Sequence, residues 1–469
     1  MAETHLEAKQ RDWKQTVRVY FTPVMLSMLV LGFASGLPLY MVFQKLSFWL
    51  RDSGIERSTI GFFYWVTLSY TLKFLWAPVI DRVQIPGLHA LLGPRRSWIV
   101  TAICGTVIAL IIISQTDPSA GLLPVAIGAI LLAYSGATLD VAIDAWRIES
   151  APNEMQANMA AAYSLGYRVA YMTSGLGLAI AGWTDWNWSF LAMASAMALS
   201  AGLVFLMKEP ATGEARRALS GNFAVKVGKA VVEPFRQMLG RLGLWFIPVL
   251  ALVAIYRLSD FTMGVMASPL YSDIGFAKEI VGGVQGGPGL VATIFGLFLG
   301  GVAAFRFGLM KALIIGLVIT FVTNGAYAWL AATANAEDVW KLSIAIVGDN
   351  LAGGFVTTVF IAYLSSLVDP ENAATQYALL SSFYGFFAKF LSGFSGLLAD
   401  AVGYVAFFAI TAAWTLPAAA LLVFVVTLGS KAARGEHRFA ERRTGDARAD
   451  SPEAATGPTG EPADPPEKG

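Results

Sequence analysis

Residues 122–147 read LLPVAIGAILLAYSGATLDVAIDAWR. Leu122 to Leu139 carry no charge, and a helix of that length nearly crosses the roughly 30 Å hydrocarbon core of a bilayer. Two acids follow, Asp140 and Asp144. A carboxylate in hydrocarbon costs at least about 2.5 kcal/mol, so this stretch predicts a transmembrane helix whose acidic part faces water or a cation.

The rest of the chain follows the same pattern. Its 469 residues are 56% hydrophobic and 14% charged, with mean hydropathy +0.60. Soluble domains carry roughly 25% charge, so a water-soluble enzyme is excluded. Apolar runs fall at 24–43, 59–80, 97–115, 122–146, 157–181, 187–207, 246–270, 282–304, 311–331, 342–366, 375–399 and 403–428. This predicts an all-α membrane protein with twelve transmembrane helices. Residues 1–23 form a polar N-terminal tail, and the run after it is too long for a signal-peptide core. A six-helix bundle over 24–207 and another over 246–428 are separated by a basic linker, 208–245. Part of that linker (about 222–242) reads as an interfacial amphipathic helix. Residues 429–469 are rich in Pro, Gly and charge and are expected to be disordered. The face bearing both termini carries 24 Lys and Arg against 5 opposite (Lys45, Arg51, Arg57, Lys278 and Lys341), which places both termini in the cytoplasm.

Several chemistries are excluded. Net charge is +1 with no basic block in the apolar body, so no nucleic-acid partner is expected. Cys104 is the only cysteine, and His5, His89 and His437 all lie outside the apolar runs. Disulfides, metal sites, cofactors and histidine relays inside the membrane are therefore not expected. A membrane acyltransferase would need a histidine–acid pair, and a sensor would need a soluble domain. Neither is present, and the chain reads as a monomeric carrier rather than an enzyme.

An internal repeat supports this. A shift of 218 residues aligns Ser174-Gly175 with Ser392-Gly393, Ser135-Gly136 with Gly353-Gly354, and 151–154 with 369–372. One offset across separate fragments predicts two parallel six-helix halves. This resembles the major facilitator fold, whose cargo site lies between the halves near the bilayer midplane.

Eight ionisable residues fall within the runs: Lys73, Asp140, Asp144, Arg168, Arg257, Asp260, Asp349 and Lys389. None is in the third, sixth, ninth or twelfth run, which fits outer supports around a polar centre. Asp140 and Asp144 lie one turn apart, disfavour each other's ionisation, and are the candidates for proton coupling. Neutralisation by Lys73 or Arg168 is the plainer reading. Arg168 and Lys389 have no acid beside them on their own helix and suit an anionic cargo group. Arg257 and Asp260, at i,i+3, predict an ion pair that a competing anion opens. Lys73, Tyr167 and Gln44 are further candidate substrate contacts, and Asp349, with Asn350 toward the outer end of its run, reads as either a substrate contact or a periplasmic gate. Gly32–Gly36 and Gly296–Gly300 are GxxxG patterns, read as close helix packing. Asp81, Arg82, Arg95 and Arg96 form a degenerate major-facilitator loop signature and a candidate cytoplasmic gate; positive charge setting topology is the alternative.

The run Leu31-Gly-Phe-Ala-Ser-Gly-Leu-Pro-Leu39 resembles the first span of the AmpG-type muropeptide permeases. So do Thr59-Ile-Gly-Phe-Phe63, Lys73-Phe-Leu-Trp-Ala-Pro-Val-Ile-Asp-Arg82, Arg95-Arg-Ser-Trp98, Asp140-Val-Ala-Ile-Asp-Ala-Trp-Arg147, Gly166-Tyr-Arg168 and Ser174-Gly175. The resemblance covers most of 25–182. It implies an importer in the bacterial inner membrane that brings N-acetylglucosaminyl-anhydromuramyl peptides into the cytoplasm with protons. Such import serves peptidoglycan recycling and β-lactamase induction. Another anionic conjugate, such as an acyl-coenzyme A or a sugar-peptide, is the alternative cargo. Leu139 stands where these permeases generally have Gln, which removes an amide expected in the cavity.

Overall fold

Long uncharged runs in hydrocarbon have to close every backbone hydrogen bond within a helix. The computed structural model describes residues 21–150, 155–210, 236, 238–240, 242–368 and 373–428, and contains no strand among them. Its long helices are α1 (Pro23–Asp52), α2 (57–82), α3 (Pro94–Ser114), α4 (Leu122–Ser150), α5 (Gln156–Trp183) and α6 (Trp186–Val204). They continue with α7 (Gly243–Ile274), α8 (Lys278–Phe307), α9 (Leu309–Thr333), α10 (Val339–Leu367), α11 (373–402) and α12 (403–428). Nine helical segments among the described residues are long and apolar enough to cross a membrane. The others are α2, broken by two 3₁₀ turns, and the more polar α5 and Ala373–Ser392.

Interruptions follow sequence. Pro38 precedes a π-turn at Met41–Lys45 in α1, and Pro288 sits inside another at Gln285–Gly289 in α8. Proline removes one donor and the ladder slips by a residue. Because α1 continues through its π-turn to Asp52, the span does not end at residue 43. Lys45, counted above with the outer loops, instead lies inside the helix and is 2% exposed. Gly403 (φ 74°, ψ 166°) breaks the helix between α11 and α12, a conformation that a side chain rarely tolerates. Asp400 before it bonds Arg57, whereas Thr411 after it accepts from Ser259, so the chain turns back here.

The packing repeats between halves. In the N-terminal half α3 packs on α4 and α6, and in the C-terminal half α9 packs on α10 and α12. Likewise α1 lies on α5 as α7 lies on α11, and α5 meets α8 as α11 meets α2. The 218-residue repeat is therefore structural. One apolar core runs from the N-terminal half into Met263, Met266, Tyr327 and Phe408 of the other half. A separate core, including Met238, Val249, Leu367, Leu380 and Leu422, holds the remainder of the C-terminal half. The halves thus share packing at the end where α1 runs into α2, here termed distal. They are cored separately toward the end where the described chain starts and stops, termed proximal. Most of the 208–245 linker and the tails lie outside the described residues.

Candidate functional site

Small residues bring the halves together distally. A Cβ on Gly175 of α5 would lie 2.8 Å from the carbonyl oxygen of Gly282 on α8. At the other crossing, a Cβ on Gly61 of α2 would lie 2.5 Å from the carbonyl oxygen of Gly393 on α11. Gly175 and Gly393 are the residues that the repeat aligned. Beyond these crossings, charges join the two halves: Arg51 to Asp273 at 2.5 Å, Lys278 to Asp52 at 2.7 Å and Arg57 to Asp400 at 2.7 Å. Deeper in, Lys45 donates to the Gln285 side chain at 2.9 Å, linking the two π-turns. Trp65 donates to the Phe390 carbonyl at 2.9 Å.

Below this layer a cavity of about 420 Å³ opens between the halves, lined by Lys73 and Asp144 on one side and Phe261, Tyr384 and Lys389 on the other. That volume lies within the roughly 300–1,000 Å³ of small-molecule sites. Asp140 accepts from Lys73 at 2.9 Å, from Tyr167 at 3.1 Å and from Tyr163 at 3.2 Å, and also from Ser35. Gly36 allows α1 this close to α5, since a Cβ there would meet Ala170 at 2.9 Å. The GxxxG motif is helix packing, and it delivers Ser35 to the acid. Asp144 faces Lys73 and pairs with Arg147 on its own helix at 3.4 Å. Lys73, not Arg168, neutralises Asp140.

Lys389 is 9% exposed and donates to Thr71 Oγ1 at 3.0 Å and the Thr67 carbonyl at 3.4 Å, with the Phe43 ring 5.3 Å away. It has no carboxylate partner among the described residues. Arg168 is half-buried near Tyr40 and makes no hydrogen bond or ion pair among them. In the C-terminal half, Arg257 and Asp260 pair at 2.5 Å, as their spacing predicted. Asp349 stands near both of them. Gln44 lies beside the Tyr171 hydroxyl, which donates to Asn350 at 3.4 Å.

One expectation changes. Leu139 is 0% exposed within the helix core, so an amide at that position would not face the cavity. Arg95 bonds Glu149 at 2.5 Å, and Arg96 reaches the carbonyls of Val204 and Phe205. Glu209 accepts from the backbone of both arginines; burial pushes its carboxyl up despite those bonds. These contacts tie α3, α4 and the end of α6 together within one half. The side chains of Asp81 and Arg82 lie outside the described residues. The sequence reading missed Lys45, Gln285, Ser35, Tyr163 and Tyr171. Ser35 alone carried a signal, as the polar residue within a GxxxG pattern.

A two-bundle fold of parallel repeats around a central charged cavity defines a secondary transporter. The sequence profile of the Major Facilitator Superfamily matches residues 24–348 and 249–456. Relatives include the anhydromuropeptide permease of Escherichia coli, 32% identical over 87% of this chain and 81% of that one. The putative transporter AmpG 4 of Rickettsia felis is 31% identical over 84% of this chain and 95% of that one. Among solved structures, the nucleoside transporter NupG superimposes with TM-score 0.60 at 14% identity, covering 86% of this chain and 99% of that one. A POT family transporter in complex with a thioalcohol-conjugated peptide gives 0.61 at 12% identity, covering 86% and 96%. The chain belongs to the Major Facilitator Superfamily and, within it, to the AmpG-type permeases. It is a multi-pass membrane protein.

Proposed function

We propose that this protein is a proton-coupled importer of anhydromuropeptides, N-acetylglucosaminyl-anhydromuramyl peptides, working by alternating access as a monomer. It resides in the bacterial inner membrane with both termini cytoplasmic, so the distal end is the outer one and this conformation faces inward. The observation that carries the reading is Lys389. It is a nearly buried ammonium lining the cavity whose partners among the described residues are all neutral. A cation held this way in the membrane calls for an anion from elsewhere, and peptide carboxylates supply one. Arg168 offers a second. Lys73, Arg257, Asp260, Tyr167 and Gln44 surround the path as contacts for the mixed charge and hydroxyls of a sugar-peptide. Asp140 and Asp144 carry the coupling proton in the N-terminal half: Lys73 leaves Asp140 for the cargo, and the freed carboxylate is protonated.

The names of the relatives favour the muropeptide over an acyl-coenzyme A or another sugar-peptide. The test is uptake by purified protein in vesicles, with and without an imposed pH gradient, across a panel of wall fragments and acyl-coenzyme A. Gradient-stimulated accumulation of the disaccharide-peptides is expected. Accumulation of acyl-coenzyme A alone would replace the cargo, and indifference to the gradient would remove the proton.

A further inference from the structure

The charged groups of the two halves are not balanced alike. In the N-terminal half Asp140 and Asp144 face two cations, Lys73 and Arg147, and Asp140 also accepts from three hydroxyls. In the C-terminal half both hydrogen bonds of the Arg257 guanidinium, from Nε at 3.2 Å and from a terminal nitrogen at 2.5 Å, go to one oxygen of Asp260. Asp349 on α10 is the second carboxylate there. It stands ten residues from the distal start of its helix, roughly 15 Å deep. It is half-buried and makes no hydrogen bond or ion pair among the described residues.

The groups around Asp349 are few. Arg257 and Asp260 of α7 are the charged ones that act on it. Tyr271 of α7, Tyr327 of α9 and Tyr171 of α5 are the neutral ionisable ones. The Tyr271 and Tyr327 hydroxyls bond each other at 2.5 Å. Among the described residues, the packed helices α8 and α11 add no charged group that acts on Asp349. The cluster therefore holds two carboxylates against one guanidinium, and one proton cancels the excess.

The neighbouring residue ties this acid to the conformation of the carrier. Asn350 accepts from Tyr171 of the opposite half at 3.4 Å and from Thr293 at 2.9 Å, and it donates to the Ile346 carbonyl at 2.8 Å. When the halves part distally, the Tyr171–Asn350 contact breaks one residue from Asp349.

We propose that Asp349, held beside the Arg257–Asp260 pair, is a second transported-proton site, in the C-terminal half. The proposal rests on the proton-coupled reading above and extends it to a group outside the Asp140 cluster. With the distal side open, the Asp349 carboxylate takes one proton from outer water and becomes a neutral acid. The cluster is then electrically balanced, and the halves close. With the proximal side open, the O–H bond breaks and the proton leaves to inner water. Nothing else is bonded or released.

The test uses the full chain in vesicles with labelled N-acetylglucosaminyl-anhydromuramyl tripeptide. Asp349→Asn should cut gradient-driven accumulation at least tenfold while exchange of internal for external tripeptide, without a gradient, stays within about twofold. Asp349→Glu should restore part of the gradient effect. Full accumulation by the Asn variant overturns the proposal, as does equal loss of accumulation and exchange, which marks a cargo contact instead. A cargo-independent arm separates this from failure of the functional reading. A cysteine at the fully buried Thr67, with Cys104 replaced by Ser, reports distal opening to an impermeant maleimide. Its labelling rate in cargo-free protein, divided at each pH by that of a free thiol to remove the thiolate's own titration, should change with pH between 5 and 8, and Asp349→Asn should weaken that dependence at least threefold. An undiminished dependence overturns the proposal even if no wall fragment is transported.

Discussion

Gly61→Ala should open the distal side. The added Cβ would lie 2.5 Å from the Gly393 carbonyl oxygen and 2.9 Å from the Gly396 nitrogen, both backbone atoms that cannot rotate away. Ordinary contact begins at 3.4 Å, so α2 and α11 have to part by about 0.9 Å. Interiors packed to crystal density do not absorb such a shift without loss, and overpacking costs typically about 1–3 kcal/mol. The interface at Gly61 joins the two halves, so the cost falls on the distally closed state and spares the open one. A bias of 1–3 kcal/mol is about 5- to 150-fold in the equilibrium between them. The assay is maleimide labelling of the Thr67→Cys reporter in the Cys104→Ser background. Labelling should accelerate, and gradient-driven uptake should fall as return to the closed state becomes harder. Gly264→Ala is the control, because nothing lies within 4 Å of its added Cβ. Gly175→Ala, at the repeat-related crossing, should act in the same direction with a smaller clash, its Cβ 2.8 Å from Gly282. Labelling equal to the control in both variants would show that these crossings do not gate access.

The remaining predictions concern charge and packing. Lys45→Met should act opposite to Gly61→Ala: it removes a buried ammonium whose desolvation costs several kcal/mol, so the reporter should label more slowly, and faster labelling refutes this. Arg168→Ala should raise the KM for tripeptide about tenfold or more with little change in thermal stability, because no protein ion pair is lost; unchanged kinetics remove it from the site. Asp140→Asn should uncouple uptake from the pH gradient, and unaltered accumulation in vesicles rejects that role. Leu139→Gln should destabilise the protein by about 1–3 kcal/mol by burying an unpaired amide, read as a lower melting temperature with unchanged cargo preference. A change in preference at unchanged stability would return position 139 to the cavity.

The parts of this molecule written in single residues are legible in its sequence, and the parts written in pairs are not. Hydrocarbon penalises each exposed charge and each open backbone bond, so the apolar runs and the eight interior charges stand out one by one. The Arg257–Asp260 pair is legible because it is local. Lys45 is hidden because Pro38 and the π-turn after it look like the end of a span, although the helix runs on. Ser35 and Tyr163 reach Asp140 from two other helices, and hydroxyls carry no transfer penalty large enough to mark them. The distal layer depends on the angle between the halves, which a single chain encodes only through its repeat. That repeat did point to Gly175 and Gly393, which sit at the two crossings because close backbone approach there excludes a side chain.

The balance of interior charge then argues for what the carrier handles. Lys73 cancels Asp140, Arg147 cancels Asp144, and Arg257 cancels Asp260. Left without an opposite charge among the described residues are three cations, Lys45, Arg168 and Lys389, and one carboxylate, Asp349. If these groups served only to hold helices together, they would pair with each other, since an uncompensated charge in a membrane interior costs more than a bridged one. They do not: Lys45 on α1 and Lys389 on α11 lie at contacts between the halves, Arg168 lies on α5 near Tyr40, and the acid lies on α10 beside a pair already formed. The surplus is thus complementary to two separate arrivals, an anion bearing more than one carboxylate and a proton. A cationic cargo would leave the surplus of cations standing, and transport without a proton would leave the Asp349 carboxylate standing, in every state of the cycle.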